Sequence, residues 1–162
     1  MKKLLFAGLI LILGALQVTL IDSFKIFNVK PDFVLMIAVI ASFIFDFKEA
    51  LFLSIFAGVL KDVLGTGVFG INTLLFPLWS FLIEKLNRQV PIDHDLIRLI
   101  IIFVITFLHQ TLRGLVLVGL GRGISAGIFL RIIFVESIYT TLVFLWVFKF
   151  VQRWFVIPET SS

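Results

Sequence analysis

The residues with the greatest chemical potential lie in one polar turn between two apolar runs. Lys61 and Asp62 stand side by side there, and three closely spaced glycines and Asn72 follow. A charge at bilayer depth is expensive, so it persists only with a partner, a polar cavity or a function. Glycines permit a sharp turn and close backbone approach. The stretch therefore predicts a site for ion pairing, a ligand or a partner.

A second polar group lies in the last two apolar runs. His109 and Arg113 are four residues apart and share one face of a helix, and Arg131 and Glu136 follow in the next run. We expect Asp62 to pair with Arg113 or Arg131, and His109 with Glu136. Three interpretations stay open: a structural network, a ligand or partner site facing the outer leaflet, and cations that extend toward lipid headgroups.

A histidine with a carboxylate is also the acid–base pair of hydrolases and acyltransferases. That chemistry needs a nucleophile, and Thr111, Ser125 and Thr140 stand outside any G-x-S-x-G pattern. The sequence contains no cysteine and two histidines, one of them in a predicted loop, which disfavours a metal site. We therefore predict a protein that is not an enzyme and has neither metal nor cofactor.

The composition is that of an integral membrane protein. Of the 162 residues, 60% are hydrophobic and 15% are charged, whereas soluble domains average about 45–50% and about 25%. The net charge of +4 is spread among short loops, which indicates membrane topology and not nucleic-acid binding. The runs are apolar throughout and lack the alternation of barrel strands.

The predicted fold is all-α, a single transmembrane domain over residues 1–162. Short connections leave no room for a soluble domain, and the first run reads as an uncleaved span. Spans two to four are shorter than the roughly 20 residues that a bilayer requires, so tilting, a re-entrant pair or a five-span count stays open. The six predicted helices cover residues 4–21, 33–45, 50–64, 68–83, 99–118 and 128–151.

The distribution of lysine and arginine predicts that both termini face the cytoplasm. This orientation places three cations outside, namely Lys25, Lys30 and Arg122. It places eight inside, namely Lys2, Lys3, Lys48, Lys85, Arg88, Arg98, Lys149 and Arg153. The buried polar residues then lie in the outer half of the membrane.

Two motifs give this sequence a family resemblance. Span two opens with Pro31-Asp32-Phe-Val-Leu, and Gly58-x-x-x-Asp62-x-x-Gly65-x-x-x-x-Gly70-x-Asn72 follows. Together they resemble the rod shape-determining protein MreD family, which has a similar "P-D-L-L-L" opening and a glycine turn between its third and fourth spans. Val68 and Phe69 depart mildly from the family's proline and leucine. The resemblance is best over residues 31–75, and it implies that Gly58, Asp62, Gly70 and Asn72 are the family-motif positions of a partner or ligand site.

This resemblance implies a non-enzymatic component of the bacterial elongation complex in the inner membrane. It implies binding to MreC, in a complex with RodA, a class B penicillin-binding transpeptidase and the MreB filament, and a role in peptidoglycan synthesis and rod shape. It also implies a fold like that of the S components of energy-coupling-factor transporters. We expect the MreC span to dock on an outer-leaflet face or in the groove beside the Asp62 turn.

The competing class is the substrate-binding membrane subunit of a vitamin-type transporter. Such subunits typically dock their partner through an A-x-x-x-A surface on the first span. Here Leu11 interrupts this series between Ala7 and Ala15. A third possibility is a protein that handles membrane lipids, since a ligand with an anionic headgroup would suit Arg113 and Arg131.

Overall fold

Six helices form the described part of the chain. The computed structural model describes residues 1–19, 23, 28–65 and 67–155. Its helices are α1 (Lys2–Thr19), α2 (Phe33–Ile44), α3 (Phe47–Leu64), α4 (Ile71–Asn87), α5 (Asp95–Gly119) and α6 (Ala126–Phe155).

The short helix α2 is the centre of the bundle. It contacts all five other helices, and eight consecutive residues, 34–41, are buried. Large side chains from every neighbour complete this core, namely Phe6, Ile10, Leu53, Phe76, Trp79, Ile102 and Phe144. A helix of 12 residues is about 18 Å long, too short to span a bilayer alone. Because the other helices enclose it, α2 does not need to match the thickness of the lipid.

Three helices are long and apolar enough to cross a membrane, namely α1, α5 and α6. Their outward faces carry exposed leucine, isoleucine, valine and aromatic side chains, up to Trp146 at 83% exposure. Helix α3 is as long as α1 but carries four charged residues, and α4 contains Pro77. The all-helical, membrane-type architecture is therefore confirmed, while a count of six spans stays a prediction.

The predicted limits differ from the helix ends by a few residues, and the reason is common to most of them. Helix α3 begins three residues before the predicted span, α5 begins four residues earlier, and α6 extends four residues further. Hydropathy marks where a segment becomes polar, whereas the backbone stays helical into the polar residues. Helix α4 begins at Ile71 and not at residue 68, because Gly70 adopts a left-handed φ of 99°. Residues 20–21 of the first predicted span lie outside the described residues.

Helices α2, α3 and α4 pack through small polar residues. The Ser80 hydroxyl of α4 is hydrogen-bonded to Ser42 of α2 and, at 2.8 Å, to Ser54 of α3. Short side chains let these helices approach closely and satisfy one another's polar atoms, as is typical inside membranes. Helices α5 and α6 pack mainly against each other. A cavity lies between this hairpin and the first four helices.

Candidate functional site

The Asp62 carboxylate holds the beginning of α4. It lies in the last turn of α3, is buried, and accepts hydrogen bonds from the backbone N–H groups of Gly70 at 3.0 Å, Asn72 at 3.2 Å and Thr73 at 2.8 Å. The Asn72 amide and the Thr73 hydroxyl also donate to it, at 2.8 and 2.6 Å. The first N–H groups of a helix lack partners within the helix and attract negative charge. Asp62 supplies both the hydrogen-bond acceptor and the negative charge, from the neighbouring helix α3.

Gly58 makes this arrangement possible. It lies one turn before Asp62, on the same face of α3. A Cβ atom at position 58 would lie 2.6 Å from the Asn72 carbonyl oxygen and 2.8 Å from the Thr73 Cα. The backbone of α4 therefore approaches α3 at a distance that only glycine permits. Gly58, Asp62, Gly70 and Asn72, all predicted as one site, do come together, and their contacts are those of a joint between two helices.

Lys61 points to a different helix. Its ammonium group forms an ion pair with Asp32 and lies 5.4 Å from the centre of the Phe76 ring. Asp32 is the N-cap of α2 and accepts a 3.0 Å hydrogen bond from the Leu35 N–H. The Asp32 N–H donates to the Thr140 hydroxyl of α6 at 3.1 Å. The adjacent residues Lys61 and Asp62 thus join the end of α3 to the beginnings of α2 and α4.

A cavity of about 460 Å³ opens beside these two joints. Its volume falls within the range of small-molecule sites. The polar part of its lining includes Gln17 of α1 and four of the residues predicted as a site, namely Asp62, Asn72, Arg113 and Glu136. The apolar part comes from valine, leucine and isoleucine side chains, namely Val18, Val29, Val34, Leu64, Val68, Ile71 and Ile132. The wall is therefore amphipathic.

Arg113 and Arg131 have different environments. Arg113 is half-buried and lines the cavity, where its Nη2 lies 3.7 Å from the position of a Cβ on Gly67. Arg131 is exposed on α6 and is not part of the cavity lining. Among the described residues neither arginine forms an ion pair with Asp62. The predicted pairing was wrong because backbone N–H groups, which a sequence does not display as charges, already occupy the Asp62 carboxylate.

The expected pair of His109 and Glu136 was also wrong. His109 is buried, and its Nδ1 accepts a 3.2 Å hydrogen bond from the Trp79 indole of α4. Glu136 instead accepts a hydrogen bond from Gln110. Consecutive residues of a helix point about 100° apart, so His109 faces α4 while Gln110 faces α6. The acid–base pair that hydrolysis would require is not assembled.

A family model described as rod shape-determining protein MreD matches residues 2–154. The chain belongs to the MreD family. It matches no curated protein and no solved structure.

Membership in the MreD family makes this a rod shape-determining membrane protein. Sequence reasoning found the Asp62 turn. It missed Thr73 as a hydrogen-bond partner of Asp62 and Asp32 as the ion-pair partner of Lys61. For Asp32 a signal was available, since an aspartate directly before an apolar helix is a strong N-cap. An unpaired Lys61 at bilayer depth also required a buried acid. Gly70 holds the N-cap position of α4, and the Asn72 side chain donates to Asp62.

Proposed function

We propose that this MreD-family protein is a non-enzymatic, multi-pass component of the elongation complex in the bacterial inner membrane. In this proposal it binds MreC and supports peptidoglycan synthesis and rod shape, together with RodA, a class B penicillin-binding transpeptidase and the MreB filament. The observation that carries the proposal is the family match over residues 2–154. The joint at Asp62 supports a scaffolding role, because the Asp62 carboxylate is engaged by the backbone and side chains of α4 within the protein.

The surface next to the Asp62 turn is our candidate for MreC docking. Three apolar side chains flank the turn and are exposed, Val63 at 64%, Phe69 at 69% and Leu74 at 76%. We name these three residues the turn face. A single transmembrane helix offers an apolar surface of the same kind, and packing governs the association of helices in lipid. With both termini in the cytoplasm, the turn face lies in the outer half of the membrane.

The test is affinity purification of the tagged full-length protein from its native membrane, with identification of the proteins that accompany it. We expect MreC, RodA and the transpeptidase with the wild type. The double variant Phe69→Ser/Leu74→Ser should lower the MreC recovered per molecule by about tenfold, as expected when central interface side chains are truncated. The matched control Leu142→Ser/Trp146→Ser changes two exposed side chains of α6 and should leave MreC recovery unchanged.

Asp62→Asn separates structure from docking. Because Asp62 joins α3 to α4, this variant should lower the amount of protein in the membrane, while the remaining protein still binds MreC. Equal loss of MreC in both double variants would reject the turn face as the docking surface. Absence of MreC from wild-type purifications would reject the proposal itself.

The cavity supports a second candidate, the substrate-binding subunit of a small-molecule transporter. That candidate predicts different companions in the same purification, namely a pair of ATPases and a transmembrane coupling subunit. The interruption of the small-residue series by Leu11 in α1 argues against it, because it removes the surface on which such a coupling subunit would dock.

A further inference from the structure

The cavity beside the Asp62 turn contains a cation, Arg113, that has no direct ion pair among the described residues. Arg113 lines the cavity, is half-buried, and forms no hydrogen bond or ion pair with any described residue. Its neighbours in the cavity differ in this respect, since Lys61 is paired with Asp32 and Asp62 is engaged by the α4 backbone. A charge at this depth needs compensation. Lys61 has a direct ion pair, whereas Arg113 shares the cavity with Glu136, whose carboxyl already accepts a hydrogen bond from Gln110.

A second polar atom at the same cavity also lacks a partner. The Oδ1 atom of Asn72 is buried and accepts no hydrogen bond within the described part of the chain. Asn72 itself is 7% exposed and contributes to the cavity lining. Buried acceptors nearly always have a donor. The polar groups at this wall are therefore not all satisfied within the described part of the chain, and the Arg113 guanidinium matches a ligand with an anionic group.

The remaining wall indicates the rest of the ligand. Apolar side chains from α1, α2, α3 and α6 line the cavity beside the polar ones, among them Val18, Val34, Leu64 and Ile132. The outward faces of the helices carry exposed apolar side chains. A soluble anion would leave the apolar wall without contacts, whereas an amphiphile satisfies both parts of it. Planar guanidinium groups bind phosphate in a bidentate manner.

We propose that this cavity binds the phosphate-bearing headgroup of a membrane amphiphile, with Arg113 as its anion-binding residue. Two sources carry this chemistry, a glycerophospholipid and an isoprenoid-linked phosphate. The guanidinium binds the phosphate, and the apolar wall contacts the first part of the hydrocarbon chain. The site does not depend on MreC, since it lies within one chain.

The test is native mass spectrometry of the purified full-length protein in detergent, titrated with soluble short-chain lipids. The probes are dioctanoyl phosphatidylglycerol, farnesyl phosphate, inorganic phosphate, and dioctanoylglycerol as the phosphate-free control. We expect one equivalent of a phosphate-bearing lipid to bind, and Arg113→Gln to weaken it by about tenfold or more, as expected for the loss of a charge-assisted hydrogen bond. Arg113→Lys should retain part of the affinity.

Arg131→Gln is the matched control, because it removes an exposed arginine outside the cavity and should leave binding unchanged. Equal weakening by both variants would overturn the proposal, since it would indicate general attraction to a basic surface. Binding of dioctanoylglycerol as tight as that of the phosphates would also overturn it.

The probes also distinguish the sources. Preference for phosphatidylglycerol indicates a phospholipid, and preference for farnesyl phosphate indicates an isoprenoid carrier. Binding of inorganic phosphate alone would overturn the proposal that the ligand is an amphiphile. If Arg113→Gln does not fold, Ile132→Phe tests the site instead. This change narrows the cavity without changing its charge and should weaken lipid binding. Unchanged binding would show that the lipid binds outside the cavity and would overturn the proposal. None of these measurements contains MreC, so their failure leaves the proposed function untouched.

Discussion

Gly58, which packs against the α4 side of the Asp62 turn, has an entirely steric role. Gly58 lies in the interior of α3, where glycine is unfavourable compared with alanine by roughly 0.5–1 kcal/mol. That cost is offset because the α4 backbone occupies the space of a side chain, with the Asn72 carbonyl oxygen 2.6 Å from the Cβ position. The approach in turn brings the N–H groups of Asn72 and Thr73 within reach of Asp62.

Gly58→Ala should therefore destabilise the protein, by about 1–3 kcal/mol as in other overpacked contacts. A methyl group at this position forces α3 and α4 apart and lengthens the hydrogen bonds to Asp62. The free energy of unfolding, measured by titration with denaturing detergent in mixed micelles, checks this. Gly8→Ala is the control, because no atom lies within 4 Å of its Cβ position in α1. It should be neutral or stabilising, and equal effects of the two changes would contradict the steric explanation.

The sequence was sufficient to predict this turn but not its contacts. The turn stood out because glycine and charge are rare in apolar runs, and the resemblance to the MreD family singled out Gly58, Asp62, Gly70 and Asn72 within the stretch. The partners of Asp62 were missed because they are mainly backbone N–H groups, which every residue except proline carries. His109 was assigned to Glu136 from a common depth alone, and depth does not fix the direction in which a side chain points around a helix.

At the scale of helices, the C-terminus of α3 organises two other elements. Lys61 pairs with the N-cap of α2, and Asp62 binds the first turn of α4. Asp32 and Asp62 place negative charge at the beginnings of α2 and α4, which the helix dipole favours, and Lys61 is the counter-ion of Asp32. Burial of α2 on every side is the feature that the sequence did not reveal. Its residues are apolar except for Ser42, and periodicity does not distinguish a helix surrounded by protein from one surrounded by lipid. Its length of 12 residues was the available signal.

The ion pair between Lys61 and Asp32 should be strongly coupled in a double-mutant cycle. Lys61→Met leaves the Asp32 carboxylate buried without its counter-ion, and such changes cost about 3–5 kcal/mol. Asp32→Asn/Lys61→Met should recover most of that loss, because asparagine is also a good N-cap. The measurement is again detergent-induced unfolding. Lys3→Met is the control, since the ammonium group of Lys3 pairs with Glu49 at the surface, where pairs contribute about 0–1 kcal/mol. Additive effects of the two buried changes would contradict the coupling.

For the whole molecule, orientation decides what the Asp62 turn and the cavity can meet. Helices α1, α5 and α6 are long enough to cross the membrane. The ends of α1 and α3, the beginnings of α2, α4 and α6, and the Arg113 end of α5 border one cavity. All of these ends therefore lie toward the same side of the molecule. The excess of lysine and arginine at the opposite ends predicts that this side is external.

Single-cysteine labelling tests this orientation without background, because the chain contains no cysteine. Ser125→Cys lies between α5 and α6, Gln89→Cys follows α4, and both positions are exposed. In intact spheroplasts a membrane-impermeant maleimide should label Ser125→Cys, while Gln89→Cys should react only after lysis. Reversed labelling would place the cavity and the turn face on the cytoplasmic side. Labelling of Ser125→Cys and Gln89→Cys from the same side would mean that α5 does not cross the membrane. Either result would contradict docking of MreC in the outer leaflet, while leaving the Asp62 joint itself unaffected, because its contacts lie within the chain.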